Sequence, residues 1–281
     1  MSPETTNKLE KLRGLLKGYG SCLVAYSGGV DSVFLAFVAR EVLQDRALAV
    51  IADSPSLPRR ELQEALEIAR QFLFPVRVIE TQEFANESYT TNPVNRCYFC
   101  KHELFEQLIP LARTKNFAVI AYGENASDIG DFRPGAKAAA EFQVRAPLKE
   151  AGLTKSEIRE ISAELGLPTA DKPQMPCLSS RVPHGETVTP EKLRMIELAE
   201  YALRDLGFHD VRVRHHEMQN QSLARIELAP SEIHQLLAND NFSVVAGKLK
   251  EIGYAHITLD LQGYRRGSTH EALSQKGVDQ L

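Results

Sequence analysis

At 281 residues, 43% hydrophobic and 25% charged, the chain has the make-up of a soluble globular protein with one large or two medium domains. Lys and Arg number 33 against 37 Asp and Glu; the net charge of −4 gives no whole-chain attraction for a polyanion and argues against a nucleic-acid partner. No apolar run is long enough to span a bilayer, the polar N-terminal stretch lacks a signal core, and four cysteines do not make a secreted disulfide scaffold. The cytoplasm is the expected compartment, with no membrane partner.

Leu9, Leu12, Leu15 and Leu16 recur at helical spacing, which predicts a first helix ending near Gly18 and Gly20. Cys22-Leu23-Val24-Ala25 is a strand-length apolar run. Tyr26-Ser27-Gly28-Gly29-Val30-Asp31-Ser32 follows, then a helical pattern over residues 33–39, so this is a strand–loop–helix unit. Its glycines let backbone N–H groups approach an anion, and the helix behind begins with unpaired donors and partial positive charge. Ser27 and Ser32 can add hydroxyl donors. The loop lacks the lysine of G-x-x-x-x-G-K-[ST], so that phosphate-loop reading fails.

Residues 48–52 are a second strand ending at Asp53-Ser54-Pro55, 59–71 a helix, 76–79 a third strand, 101–114 a helix, and 118–122 a further strand. Strands alternating with helices predict a doubly wound, mostly parallel α/β sheet, with ligands beyond the carboxyl ends of the strands. That edge carries the glycine loop, Asp53 with Ser54, and Gly123, Asn125 and Asp128. Thr154 to Glu157 is a capping box for a helix through Leu165. The proline-rich stretch 171–183 is read as a hinge loop. A helix from Thr189-Pro190 to about Leu206, half-buried strands over 211–215 and 224–228, a helical stretch over 231–252 broken near 239–241, and a strand over 255–259 complete a smaller α+β domain. The expected domains are 1–180 and 181–281, and the polar tail from Gly267 is expected to be disordered.

Cys97-Tyr98-Phe99-Cys100 is a C-x-x-C pair just ahead of a predicted helix, and Cys177 lies in the hinge loop. Thiolates select iron–sulfur clusters and zinc. Three around a [4Fe–4S] cluster leave one iron open to an exogenous sulfide. Zinc with His102 or His184, a redox or persulfide-carrying pair, and inert buried thiols stay open as alternatives on the spacing alone. Cys22 is read as a small core residue. Arg212 and Arg214 share one strand face, as do Arg225 and Glu227 on the next; spacing alone favours reading them as a solvated, mutually paired charge face.

Ser-Gly-Gly-x-Asp-Ser looks like the pyrophosphate-binding loop of the ATP pyrophosphatase (PP-loop) superfamily. With Asn95-Arg96-Cys97-Tyr98-Phe99-Cys100-Lys101, Asp131-Phe132-Arg133-Pro134-Gly135 and Pro176-Cys177-Leu178-Ser179-Ser180-Arg181, the chain resembles the LarE family over nearly its whole length. The resemblance implies an ATP-dependent sulfur transferase that adenylates a carboxylate of a pyridinium biscarboxylate mononucleotide and makes a thiocarboxylate for the nickel-pincer nucleotide cofactor. It implies ATP and Mg²⁺ at Ser27, Gly28, Gly29, Asp31, Ser32, Asp53, Ser54, Gly123, Asn125 and Asp128. It further implies catalytic roles for Asp31, Cys177, Ser180 and Arg181, and substrate binding by Arg212, Arg214, Glu200 and Glu227.

Cys97, Cys100 and Cys177 together match the branch in which three cysteines hold a [4Fe–4S] cluster, supplied by a sulfide donor. The resemblance also implies a homo-oligomer, with a hexamer among its forms. Gln235 stands where the family can have an acidic residue, which puts an accessory metal site there in doubt. Transfer-RNA thiolation, amide formation with ammonia, and a nucleotide-binding regulatory module are the competing readings. The first predicts salt-sensitive RNA binding, the second has no use for the three cysteines, and the third predicts no AMP or pyrophosphate from ATP.

Overall fold

The computed structural model describes residues 1–130, 134–219, 221–238 and 240–265. Asp131, Phe132 and Arg133 of the family-like motif, Asn239 of the predicted helix break and the polar tail from Gly267 lie outside the described residues. None of the described helices is long and apolar enough to cross a membrane.

In chain order the helices are α1 (Pro3–Tyr19), α2 (Val30–Leu43), α3 (Arg59–Gln71), α4 (Glu87–Thr90), α5 (Arg96–Thr114), α6 (Pro134–Glu141), α7 (Pro147–Ala151), α8 (Lys155–Glu164), α9 (Pro190–Asp205), α10 (Ile233–Leu237) and α11 (Asn241–Ile252). The strands are β1 (Cys22–Tyr26), β2 (Ala47–Asp53), β3 (Val76–Glu80), β4 (Val119–Tyr122), β5 (Arg212–Met218), β6 (Gln221–Glu227) and β7 (His256–Leu259). The chain divides into two compact units, Met1–Glu83 with Asn95–Met175 and Phe84–Val94 with Pro176–Leu281.

The first unit is a parallel four-stranded sheet in the order β3-β2-β1-β4, with helices packed on both faces. β1 is central, paired as Tyr26 with Ile51 on one side and Ala25 with Tyr122 on the other. The order reverses between β1 and β4, so the topological switch point falls where β1 ends and the glycine loop begins. Leu9, Leu12 and Leu16 of α1 are buried, as their spacing predicts, and Ser2 caps that helix by accepting from Thr5 N. The Thr154–Glu157 capping box forms at the start of α8. Helices α6 and α7 had no counterpart in the sequence reading: both are short, and their few buried residues do not build a readable period.

α5 starts at Arg96 and so takes Cys97 and Cys100 into its first turns, whereas the sequence places the pair ahead of the helix. The apolar period legible in sequence comes from Phe105, Leu108 and Ala112; the first turns bury Arg96 instead of an aliphatic stripe, so hydrophobicity does not announce them.

The second unit is a three-stranded sheet, β5-β6-β7, with α9 and α11 contributing to the core on one face. β5 and β6 form an antiparallel hairpin whose seven-residue strands outrun the sequence estimate, and β6 pairs parallel with β7. Phe84–Val94, an excursion from the first unit in sequence, belongs to this second one. Tyr89 Oη and Ser179 Oγ lie 2.8 Å apart. Asn92 Nδ2 donates to Val182 O and Pro183 O, and Val188 N donates to Thr90 O. Phe84 packs against the cluster of Leu178, Val182, Val188, Leu193 and Ile196.

Candidate active site

The glycine loop closes on itself. Ser27 N donates to Ser32 Oγ at 3.1 Å, and the Ser32 hydroxyl donates to Gly29 O at 3.0 Å. Gly29 is the N-cap of α2 and, lacking a side chain, gives the first turn no side-chain cap. Gly28 has φ +73°, and a Cβ there would stand 2.7 Å from Cβ of Ala65 on α3. Gly123, at the end of β4, is tight to a lesser degree: its Cβ would come within 3.1 Å of Asp31 Cβ and of Ser32 N, without a positive φ. Absent side chains at Gly28 and Gly123 are therefore what allow α3, β4 and the loop to meet.

The other residues predicted for ATP fall into two groups. Asp53 pairs with Arg59, whose Nη2 also bonds Ser54 O and Leu57 O, each at 2.7 Å; the Ser54 hydroxyl accepts from Ser56 N. These contacts fix the β2 end as a tight turn beside the loop-bearing strand. Asn125 and Asp128 are both buried and form their own capping box, Asn125 Oδ1 accepting from Ser127 N and Asp128 Oδ2 from Asn125 N. In this arrangement their described bonds build the turn.

That turn positions a residue the sequence reading missed. Ser127 Oγ accepts from Lys155 N at 3.0 Å, and Lys155 Nζ reaches Asp31 Oδ2 at 2.6 Å. The loop carboxylate thus carries an ammonium partner. The signal was present as a lysine in a capping box, but nothing local ties it to a loop 124 residues earlier. Glu124 is a second missed group. Burial works to raise its pKa, but bonds from Lys149 (2.8 Å) and the Tyr122 hydroxyl prevail and hold it below the usual carboxylate range. Lys101, next to Cys100, lies 4.4 Å over the Tyr122 ring.

In the second unit Cys177 is half-buried and begins a 3₁₀ turn over Leu178–Arg181. Arg181 is fully buried. Its Nε and Nη2 donate to the two oxygens of Glu200 at 2.8 and 3.1 Å, and its Nη1 donates to Pro176 O, Cys177 O and Ser180 Oγ. Glu200 also accepts from Val213 N and Arg204 Nη2. Although burial pushes its pKa up, Arg181 and its neighbours outweigh that and keep it lowered.

Arg214 forms the matching pair on β5: Nε and Nη2 meet Glu227 at 3.0 and 2.8 Å, and Nη1 donates to Ser180 O at 2.8 Å. Arg212, also buried, donates to Val211 O and lies 4.8 Å over the Tyr264 ring. Burial, then the nearby Arg181 guanidinium, push its pKa down. Of the residues predicted for substrate, all four therefore stand together with Ser180 and Arg181 around the Cys177 turn. Arg181, Glu200, Arg214 and Glu227 brace that turn and β5 against each other.

None of the four cysteines is in a disulfide; Cys22 is a core residue whose thiol burial pushes up to about 12. Cys97 is exposed and Cys100 partly so, three residues apart on α5 and hence on one helix face. Cys177 belongs to the other unit. Among the described residues no group of three or more His, Cys, Asp or Glu side chains is gathered to hold a metal. The donor set fits an iron–sulfur or zinc centre in kind, as accessible soft thiols, while only the Cys97–Cys100 pair is brought to one place by its element.

A profile of the NAD synthase family matches residues 8–105, the part that carries the glycine loop. The chain is 44% identical to an uncharacterized protein of Synechocystis sp., covering 96% of this chain and 99% of that one. It is 28% identical to a glutamine-hydrolyzing GMP synthase component of Archaeoglobus fulgidus, over 69% of this chain and 67% of that one. Against the pyridinium-3,5-bisthiocarboxylic acid mononucleotide synthase of Lactiplantibacillus plantarum the identity is 33%, covering 95% of each chain. With nearly all of both sequences aligned at that identity, the protein belongs to the LarE family, that of the L. plantarum synthase.

Proposed function

We propose that the protein is an ATP-dependent sulfur transferase of nickel-pincer nucleotide cofactor synthesis. A carboxylate of a pyridinium biscarboxylate mononucleotide attacks the α-phosphorus of ATP and pyrophosphate leaves; sulfide then adds to the acyl adenylate, AMP leaves, and a thiocarboxylate remains. Activation is needed because a free carboxylate is a poor acyl electrophile. The observation that carries this reading is the glycine loop: it sits at the switch point of a parallel sheet, with Gly29 capping α2, in a chain aligned almost end to end with the L. plantarum synthase.

The chain's own groups have evident work in the first half of the reaction. Backbone donors of the loop and the first turn of α2 face the pyrophosphate end of ATP. Asp31 would hold Mg²⁺, which would offset the charge on the departing pyrophosphate. Lys155, paired with Asp31 before nucleotide arrives, keeps that carboxylate from repelling the triphosphate. In the second unit Arg212 takes the phosphate of the mononucleotide. Arg214 and Arg181 hold Ser180 and Cys177 by their carbonyls, which keeps the sulfur-bearing turn in one conformation.

In this reading Cys97, Cys100 and Cys177 would hold a [4Fe–4S] cluster, whose open iron would carry the sulfide to be transferred. Its support is the resemblance together with three thiols outside any disulfide. The remaining partners are a sulfide donor and further copies of the chain in a homo-oligomer. With ATP and the mononucleotide, AMP and pyrophosphate should form in step with the thiocarboxylate; no AMP with any carboxylate substrate would mean a regulatory nucleotide-binding module. Anaerobic reconstitution with iron and sulfide should give a brown protein with about four irons per chain. A colourless protein carrying one zinc would remove the cluster from the proposal.

A further inference from the structure

Beyond β7 the chain makes a tight return. Asp260 N donates to Ile226 O at 2.8 Å, Gly263 N to Asp260 O at 3.1 Å, and Tyr264 N to Leu228 O at 2.7 Å. Gly263 has φ +68°, and a Cβ on it would stand 2.6 Å from Leu228 O, so this return is available to glycine alone. The result is that Tyr264 is pinned by its backbone beside the end of β6, with its ring 4.8 Å from the Arg212 guanidinium carbon. Arg212 faces Glu227 in the β5–β6 register, at the start of the same hairpin.

We propose that Tyr264 is a positioning and specificity residue for the mononucleotide's phosphate, acting through Arg212. A ring lying over a guanidinium covers its flat face and favours the cation there, so recognition is left to N–H groups in the guanidinium plane. Those in-plane donors suit a phosphate monoester, which accepts two parallel bonds from one arginine. A side chain 4% exposed has little solvent around it, and a ring held 4.8 Å away by its own backbone turn fixes the orientation of that guanidinium. The Asp260–Gly263 return thus ties a backbone turn to the reading of one substrate group.

This inference rests on the reading of Arg212 as the phosphate ligand, and the test separates the two. Pyrophosphate release with ATP is measured for the pyridinium biscarboxylate mononucleotide and for the corresponding nucleoside, which lacks the phosphate. Tyr264→Ala should lower the mononucleotide-to-nucleoside ratio of kcat/KM about tenfold, with the KM for ATP within about twofold of the parent. Tyr264→Phe should restore the ratio. Tyr264→Leu, which keeps bulk without a π face, should behave as Ala does and serves if the Ala variant fails to fold. A ratio unchanged in both Ala and Leu variants, with Arg212→Ala still lowering it, overturns the role of Tyr264 alone. A ratio unchanged in Arg212→Ala overturns the phosphate reading and this inference with it.

Discussion

Arg181 and Glu200 meet as a two-point ion pair, 0% and 1% exposed, and the same guanidinium bonds the carbonyls of Pro176 and Cys177. One arginine therefore joins a helix carboxylate to the backbone on which the sulfur-bearing residue sits. Breaking one partner of a buried pair strands the other charge, at a cost of about 3–5 kcal/mol. Glu200→Gln, which leaves the Arg181 guanidinium without its carboxylate, should lower stability in urea by that order; Arg181→Lys keeps the charge but loses the two-point geometry and the bonds to the carbonyls, and should cost less. ATP binding to the first unit, followed by calorimetry, should be little changed.

Cys177→Ala should abolish thiocarboxylate formation while ATP still binds. Its backbone carbonyl keeps the bond to Arg181, so the turn survives the loss of the thiol. Normal thiolation by that variant, measured by mass spectrometry of the product, would remove Cys177 from the sulfur route.

Lys155→Ala leaves the Asp31 carboxylate without its ammonium at 2.6 Å. The triphosphate then meets an additional negative charge, and the KM for ATP should rise roughly tenfold, equivalent to about 1.4 kcal/mol. Lys155→Arg should recover most of that loss. Because the groups are partly exposed, added salt should narrow the gap between parent and variant.

Gly28→Ala meets two obstacles at once, a positive φ and a Cβ 2.7 Å from that of Ala65. A loss of roughly 1–3 kcal/mol and weakened ATP binding are expected. Pairing it with Ala65→Gly removes the clash but not the backbone strain, so the double variant should recover only part of the stability in a thermal melt.

His215 gives stability a pH dependence. Burial lowers its pKa from 6.5 to about 4, with Nδ1 3.3 Å from the Tyr254 hydroxyl inside the second unit's core. Between those values the unfolded chain holds a proton that the folded one does not, so stability rises with pH through that window and is lost as pH falls. The loss reaches about 3 kcal/mol by pH 4. His215→Phe should flatten this slope in urea titrations at a series of pH values, leaving only the part contributed by carboxylates.

The stretch from β1 through the loop to α2 was readable because its signals are contiguous: an apolar run, two glycines, then a helical period. The Thr154 capping box and the leucine stripe of α1 were readable for the same reason. Arg212 and Arg214 could be put on one face from strand periodicity alone, yet spacing did not say that one stacks on Tyr264 while the other is bonded to Glu227 and Ser180 O. Nor did it show that α5 begins at Arg96, since the first turns lack an aliphatic period.

What the linear chain settles is chemistry that lies within a turn or two: the phosphate-type loop, the alternation of strand and helix, and the kinds of donor available at Cys97, Cys100 and Cys177. Folding supplies the pairings that span the chain. Tyr89 reaches Ser179 across 90 residues, drawing Phe84–Val94 into the second unit, and Lys155 reaches Asp31 across 124. The reason is physical: helix and turn preferences act between near neighbours, whereas an ion pair or a hydroxyl contact takes its partner from whatever the packed sheets bring alongside it.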